Sequence, residues 1–528
     1  MSLSENRLKA IAQQFASLDK ESSRAFYQKI SEQGLRASQF PIVPRADDRR
    51  AASRASFAQE RQWFLWKLDP AASAYHISAG LRLSGPLDIQ ALERSFHALA
   101  SQHRALRTVF QADERAAVYQ RVLEVPDPIV QVVHLPVDSA AKQQESLHAH
   151  IEALRSMPFD LEAGPLLRVA LFRLAENEHV LLLVMHHIIS DGWSMDILVR
   201  DFAQAYLQHS QGEQVRFAES PVDYADYALW QRQWMQAGET ERQLQYWRAY
   251  LGDSHPVLDL SAGRRQAVDG PCWADQRTVE LPAQHVSAVR LLCQRHGVTV
   301  FMVLLAALKV VLNKRTGHED IRVGVPNANR YRPETAAVVG FFVNTQVLRS
   351  QVTGRSTLRD VLEQVKSGAL GAQFHQDLPF EQLVEALQPE RNVGVSPLFQ
   401  VMYNHVRESA SDALLQLPGI QVNAYPLPQQ DAQFELTVTG QENAAGGLAV
   451  QFSYARERLQ AQTIEQMQTL YLDVLMAMAQ EPDTRVGDIA VLSEAMQEQQ
   501  AAWGTHHTPA LMCEPIHRLF EAQALRQG

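Results

Sequence analysis

The chain has 528 residues, 46% of them hydrophobic and 20% charged, with a formal net charge of −10. That length exceeds what one core organises and points to two or three packed units, and the mild acidic balance excludes a binder that works by neutralising nucleic-acid phosphates. Its three cysteines, Cys272, Cys293 and Cys513, form no CxxC pair, so neither a disulfide framework nor a zinc cage is signalled and a reducing cytoplasm is expected.

Residues 1–50 open with LKAIAQQFASLDKESSRAFYQKISEQGL, charged and with Leu and Phe at helical spacing, followed by the extended FPIVPRADDRR. A small helical appendage without a secretory signal is expected there. YHISAGLRLSG alternates as a half-buried strand does, and Asp88 caps a predicted helix with Leu92, Phe96 and Leu99 on one face. LRTVF and AVYQRVL read as strands, and the round ends in EHVLLLVMHH.

A second round starts near residue 240 with the helical ERQLQYWRAYL, then two helices in PAQHVSAVRLLCQRHGVTVFMVLLAALKVVLNKRTG. The apolar run inside it spans about fifteen residues and carries Lys309, too short for a membrane span and suited to a buried helix. IRVGVPNANR and VNTQVLRSQV are predicted strands, TLRDVLEQVKSGALGAQFHQDLPFEQLVEAL is helical, and PLFQVMYNHV, FELTVTG and LAVQFSYAR are strands. LQAQTIEQMQTLYLDVLMAMAQEP closes the round as an amphipathic helix. Two rounds of mixed elements predict two α/β lobes of similar build. The expected divisions are a helical segment at 1–50, an N-terminal lobe at 51–235, a C-terminal lobe at 236–485, and a linker with the start of a further domain at 486–528.

MHHIISDGWS, residues 185–194, is the most unusual stretch. Val180–Val184 reads as a buried strand, and Ser194 is placed to cap a following helix that buries Leu198, Phe202 and Ala205. Successive strand side chains point to opposite faces, so His186 and His187 cannot readily share a metal, and no Cys or Glu cluster adds ligands. Either both imidazoles are buried and hydrogen-bonded, or one faces a cleft as a proton acceptor near neutral pH; the pattern with Asp191 and Gly192 favours the second. His506-His507 is also a pair but lacks the following acid, and is set aside.

HHxxxDG resembles the signature of the condensation domains of nonribosomal peptide synthetases, and six further stretches match in order. They are SFAQERQWFLWKL (56–68), QHRALRTVF (102–110, with Arg104 where an acid is usual), VDYADYALWQ (222–231), VGFFVNTQVLR (339–349), HQDLPFEQLVEAL (375–387) and VSPLFQVMYNH (395–405). The resemblance covers about residues 50–490, and the tail CEPIHRLFEAQALRQG looks like the entry to an adenylation domain. It implies an α/β fold of two chloramphenicol-acetyltransferase-like lobes in a V-shaped pseudo-dimer with a tunnel between them. A donor acyl or peptidyl thioester and an acceptor aminoacyl thioester would enter from opposite sides. The chain itself would bind no cofactor. Upstream and downstream carrier domains would supply the phosphopantetheine arms, beside an adjoining adenylation domain and with neither nucleic acid nor membrane as partner.

In such a domain His187 is the active histidine, orienting the amine and taking its proton, while His186 is structural. Asp191 is expected to turn away and pair with an arginine, Arg330 first and Arg61 second. Gly192 is expected to serve the turn or to offer its amide to a developing oxyanion. Trp193 is expected to be core rather than catalytic, and with Ser194, Tyr224, Tyr227, Trp230, Phe341, Phe342 and Asn344 to lie along the tunnel or its crossover loops. Two relatives offer other readings, an epimerisation-type enzyme and a non-catalytic platform that docks carriers.

Overall fold

A computed structural model describes residues 5–36, 39–45, 51–135, 139–218, 220–260, 272–388, 396–407, 417–427, 432–491, 494–504 and 515–527. The second histidine pair, His506-His507, and Cys513 lie outside the described residues, as do 46–50 of the extended segment. The chain opens with helices α1 (Glu5–Ala16) and α2 (Lys20–Glu32), the latter capped by the Asp19 carboxylate accepting from the Ser22 amide. A two-residue strand β1 (Ser53–Arg54) precedes α3 (Phe57–Leu68), which starts on a reciprocal capping box between Ser56 and Gln59. There follow β2 (His76–Ser84), α4 (Ile89–Gln102) capped by Asp88 as expected, β3 (Thr108–Ala112), β4 (Val118–Val122) and β5 (Val130–His134). Then come α5 (Ala140–Ser156), β6 (Leu167–Ala175), β7 (Glu178–His186) and α6 (Gly192–Ser210). Helix α7 (Tyr224–Trp234) runs through a π-helical turn at Met235–Glu239 into α8 (Thr240–Leu251).

The second round comprises β8 (Ala274–Glu280), α9 (Ala283–His296), α10 (Val300–Thr316), β9 (Asp320–Asn327), β10 (Asn344–Gln351), α11 (Leu358–Phe374), α12 (Phe380–Leu387) and β11 (Val401–Arg407). It continues with β12 (Gln421–Ala424), β13 (Leu436–Glu442), β14 (Leu448–Ala455) and α13 (Ala461–Gln480), and the tail adds α14 (Glu494–Gly504) and α15 (Ile516–Gln527). What reads as one helix from Thr357 to Leu387 is two. The break at His375–Pro379 frees a loop that later matters to the site.

The strands form a five-stranded sheet in the order β12-β2-β7-β6-β5, a six-stranded sheet in the order β10-β9-β11-β13-β14-β8, and a small sheet β1-β4-β3. Each large sheet is mixed and carries helices, giving the two expected α/β lobes. The first lobe buries Leu92, Phe96, Leu171, Leu182 and Phe202. The second packs Leu304, Val311, Phe452 and Tyr471 around α10, whose Lys309 is fully buried and donates to Leu348 O and Ser350 Oγ, both at 2.9 Å. Among the described residues no single helix is long and apolar enough to cross a membrane.

One expectation about the divisions is corrected. Residues 421–424 belong by sequence to the second lobe, yet β12 pairs antiparallel with β2 and completes the first lobe's sheet. The N-terminal helical segment is tied down by aromatic packing. Phe15 stacks on Trp234 at 4.0 Å and Phe40 lies 5.3 Å from the same indole, forming a third core with Tyr227, Trp230 and Phe342 between the lobes.

Candidate active site

Strand β7 ends at His186, and the chain turns at once into a short 3-10 turn, His187–Ile189, before Asp191 starts α6. The histidines therefore part by strand end and turn rather than by simple alternation. His186 is 4% exposed and its Nδ1 accepts the Ile188 amide at 3.1 Å, so its proton sits on Nε2. Burial pushes its pKa down to about 3, helped by His76 and His187 nearby, and it stays neutral. His187 has the opposite tautomer. Its Nδ1 lies 2.8 Å from the Ser190 carbonyl oxygen, which can only accept, so the proton is on Nδ1 and Nε2 keeps its lone pair. The ring is half-buried and meets Phe341, from the loop before β10, edge-on at 5.0 Å. Burial lowers its pKa; the Asp191 charge and the Ser190 carbonyl oppose without reversing that.

Asp191 makes no hydrogen bond to either imidazole among the described residues. Its Oδ1 accepts from the Ser194 amide (2.8 Å), Ser194 Oγ (2.7 Å) and Arg330 Nη2 (3.0 Å), and its Oδ2 from the Phe342 amide (3.0 Å). Asp191 is thus the N-cap of α6, and the expectation that Ser194 caps this helix is corrected: Ser194 lies inside the first turn. Its hydroxyl accepts from Arg330 Nη2 (2.8 Å) and the Gly340 amide (3.1 Å). Arg330 also donates to the Thr335 and Val338 carbonyls at 2.7 and 2.6 Å, and its side chain and that of Asp191 are 1% and 0% exposed. Arg61, the second choice, is elsewhere. It pairs with Glu381 at 3.4 Å and lies over Phe380, linking α3 to α12.

Trp193 is not in the core. It is 46% exposed, donating Nε1–H to Ala336 O at 3.0 Å, because the first turn of α6 presents that position outward. Gly192 is exposed too, and a Cβ there would meet nothing within 4 Å, so sterics do not explain its glycine. Tyr224, Tyr227, Trp230 and Phe342 are buried and pack against one another. The Tyr224 hydroxyl donates to Phe341 O and is 2.8 Å from Ser56 Oγ, so the matching stretches 56–68, 222–231 and 339–349 meet at one atom. Asn344 holds the loop between α11 and α12: Nδ2 donates to Gln376 O (3.0 Å) and Leu378 O (2.7 Å), and Oδ1 accepts the Phe380 amide (3.1 Å).

Sequence reasoning missed Gly340. A Cβ there would lie 2.0 Å from Tyr224 Cδ2, so only glycine lets the 338–342 segment run against that ring and deliver Phe341 to His187. Its place in VGFFVNT, just ahead of two phenylalanines, was the available signal. Also missed were Ser190, whose carbonyl fixes the His187 tautomer, and Ser56. Among the described residues no group of His, Cys, Asp and Glu is arranged to hold a metal.

A family model described as Condensation domain matches residues 50–501. A linear gramicidin synthase of Brevibacillus parabrevis is 39% identical over 467 residues, 87% of this chain but 6% of that protein. Malpinin synthetase of Mortierella alpina is 36% identical over 92% of this chain and 6% of its own length. The chain therefore spans a small part of the curated relatives it matches. Among solved structures, the X-domain from teicoplanin biosynthesis matches with a TM-score of 0.73 at 24% identity, over 85% of this chain and 100% of that one. The first condensation domain of the CDA synthetase gives 0.67 at 21% identity, over 84% and 99%. At those identities the structures speak for the fold, and the family match across most of the sequence speaks for descent: the chain belongs to the condensation-domain family of the nonribosomal peptide synthetases.

Proposed function

We propose that this chain is an acyltransferase that forms an amide bond between a donor acyl or peptidyl thioester and the amine of an acceptor aminoacyl thioester. Both would be carried on phosphopantetheine arms by upstream and downstream carrier domains, in the cytoplasm and beside an adenylation domain. The observation that carries the reading is the neutral His187 ring, pinned through Nδ1–H to Ser190 O, with the Nε2 lone pair available and Phe341 of the crossover segment against it. The amine nitrogen attacks the thioester carbon, forming the C–N bond, and the adduct carries a surplus proton on nitrogen and a negative oxygen. Nε2 orients the amine and takes that proton; collapse then breaks the C–S bond and the thiolate leaves, reprotonated from the imidazolium. The Gly192 amide, in the first turn of α6 where helix N–H groups lack intrahelical partners, is the donor proposed for the oxyanion. Asp191, Arg330 and Ser194 hold the loop, and His186 anchors the strand end.

The test is a single-turnover assay with two loaded carriers and product read by mass. A new amide that disappears in His187→Ala supports the reading. An inverted stereocentre would identify an epimerisation-type enzyme, and carrier binding without chemistry would identify a docking platform.

A further inference from the structure

Residues 40–45, FPIVPR, lie ahead of the matched region 50–501. Pro41 and Pro44 lack an amide N–H and hold the residues before them extended, and among the described residues the stretch joins no sheet. Its backbone groups must then find partners elsewhere, and they find them on side chains from both halves of the molecule. The Arg45 amide donates to Asp226 Oδ1 of α7 at 3.0 Å, and the Arg45 guanidinium reaches Asp226 and Asp223 at 3.0 and 3.2 Å. The Ile42 amide donates to Glu334 Oε1 at 3.3 Å, and the Phe40 carbonyl accepts from Arg332 Nη1 at 2.6 Å. Both Phe40 and Ile42 are buried.

Arg332 and Glu334 stand in the crossover segment that builds the candidate site. Three consecutive residues there reach three different parts of the molecule. Arg330 takes Asp191 of the histidine loop, the Tyr331 hydroxyl donates to Asp377 in the loop between α11 and α12, and Arg332 takes Phe40 O. Arg332 is 5% exposed, and its guanidinium lies over the Trp230 indole, 3.8 Å from the ring centroid. Its carbonyl accepts from the Thr335 amide (3.1 Å) and hydroxyl (2.9 Å), and the Thr335 carbonyl accepts from Arg330 at 2.7 Å. The turn 332–335 therefore joins the Phe40 contact to the Arg330 side chain. From there the segment runs through Gly340 to Phe341, which meets His187. Withdrawing a partner from a buried guanidinium is costly, so this turn is held to the FPIVPR stretch by more than apolar packing.

We propose that Arg332 and Glu334 are positioning residues of the site: the FPIVPR stretch, acting through them, sets the crossover segment and thereby the placement of Phe341 and Arg330 around His187. This rests on the amide-forming reading above and adds to its site a stretch outside the matched region. The test uses the full chain with two loaded carriers at saturating concentration, and follows the His187 imidazole resonances in parallel. Arg332→Met keeps an apolar stem on Trp230 and removes the donor. It should slow single-turnover amide formation by about 10- to 100-fold, leave carrier affinity unchanged and shift the His187 resonances. Arg332→Lys, which keeps a donor, should recover most of the rate. Phe40→Ala loosens the same contact from the other side, so the double variant Phe40→Ala with Arg332→Met should be no slower than the slower single. Folding is checked in urea, and should Arg332→Met fail to fold, Glu334→Ala against Glu334→Gln carries the same readouts. Wild-type rate and resonances in the folded variant would overturn the assignment, as would a slower rate with unmoved His187 resonances, or losses that multiply in the double variant. If the wild type makes no amide, the catalytic reading fails and the resonances decide the positioning alone: a shift in the folded variant supports it, and unmoved resonances overturn it.

Discussion

Replacing Asp191 by asparagine changes one oxygen for an NH2 group in a fully buried network, and its consequence can be worked out contact by contact. The carboxylate accepts four hydrogen bonds, three on Oδ1 and one, from the Phe342 amide, on Oδ2. An asparagine that keeps its oxygen toward Ser194 and Arg330 points an NH2 at the Phe342 N–H, donor against donor. Flipped, it points that NH2 at the Arg330 guanidinium. In both cases Arg330, its side chain 1% exposed, loses its counter-charge. Leaving one partner of such a buried pair costs about 3–5 kcal/mol, and the unsatisfied donor accounts for about 1–3 kcal/mol of that. Asp191→Asn should lower the urea midpoint accordingly and lose amide formation because the His187 loop shifts. Pairing it with Arg330→Met removes the stranded charge, so the double variant should be less destabilised than the sum by about 2 kcal/mol. Tryptophan fluorescence in urea measures the stabilities, and the imidazole resonances of His187 report its placement. Wild-type stability and unchanged resonances together with lost turnover would refute this and give Asp191 a direct part in the chemistry.

Three further outcomes are expected. His187→Ala should keep the fold and slow single-turnover amide formation by about 10²–10⁴-fold. Because burial lowers the His187 pKa from its ordinary 6.5, the acid limb of the wild-type rate that His187 sets should be centred below 6.5, and a limb centred above 6.5 would contradict the neutral ring. Gly340→Ala should cost about 1–3 kcal/mol by overpacking against Tyr224, and should lower turnover as Phe341 moves off His187, both read on the same urea and turnover assays. Burial depresses the Lys309 pKa from 10.5 to about 7, so between those values the unfolded chain holds a proton that the folded one lacks, and stability rises with pH across that window. Lys309→Met should therefore raise the urea midpoint at pH 6.5, by about 1–3 kcal/mol, with the gain shrinking toward pH 10.

Where local pattern decides structure, the sequence was readable. Asp88 and the Leu92, Phe96, Leu99 stripe define α4 by capping and by a single apolar face, and the aliphatic run into His186 defines β7. The same holds for α10, whose apolar residues on every side suit only a buried helix. Strand β12 was not readable, since four residues, QVNA, carry no usable alternation and pair only because the second half of the chain passes the open edge of β2. Trp193 and Ser194 were misplaced by one cause. Asp191 outcompetes Ser194 for the cap, which starts the helix earlier and turns the indole outward. The pairing of Asp191 with Arg330 was anticipated from family resemblance; nothing local in either stretch relates two residues 139 positions apart.

That long-range pairing bears on how the histidine works. A carboxylate on Nδ1, as in a hydrolase triad, orients an imidazole and stabilises its protonated form. Here the Ser190 carbonyl oxygen does the orienting with a dipole instead of a full charge, and the nearby carboxylate is consumed by four other donors. Burial then dominates, and the ring is kept neutral. For the proposed amide-forming reaction, a neutral ring has a specific merit: an imidazolium would repel an approaching ammonium and could accept no proton from the adduct. The same carboxylate, by holding the Phe342 amide and Arg330, ties the histidine loop of the first lobe to the crossover segment that carries Phe341. Asp191 is therefore one buried contact shared by the loop that places Nε2 and the segment that places Phe341.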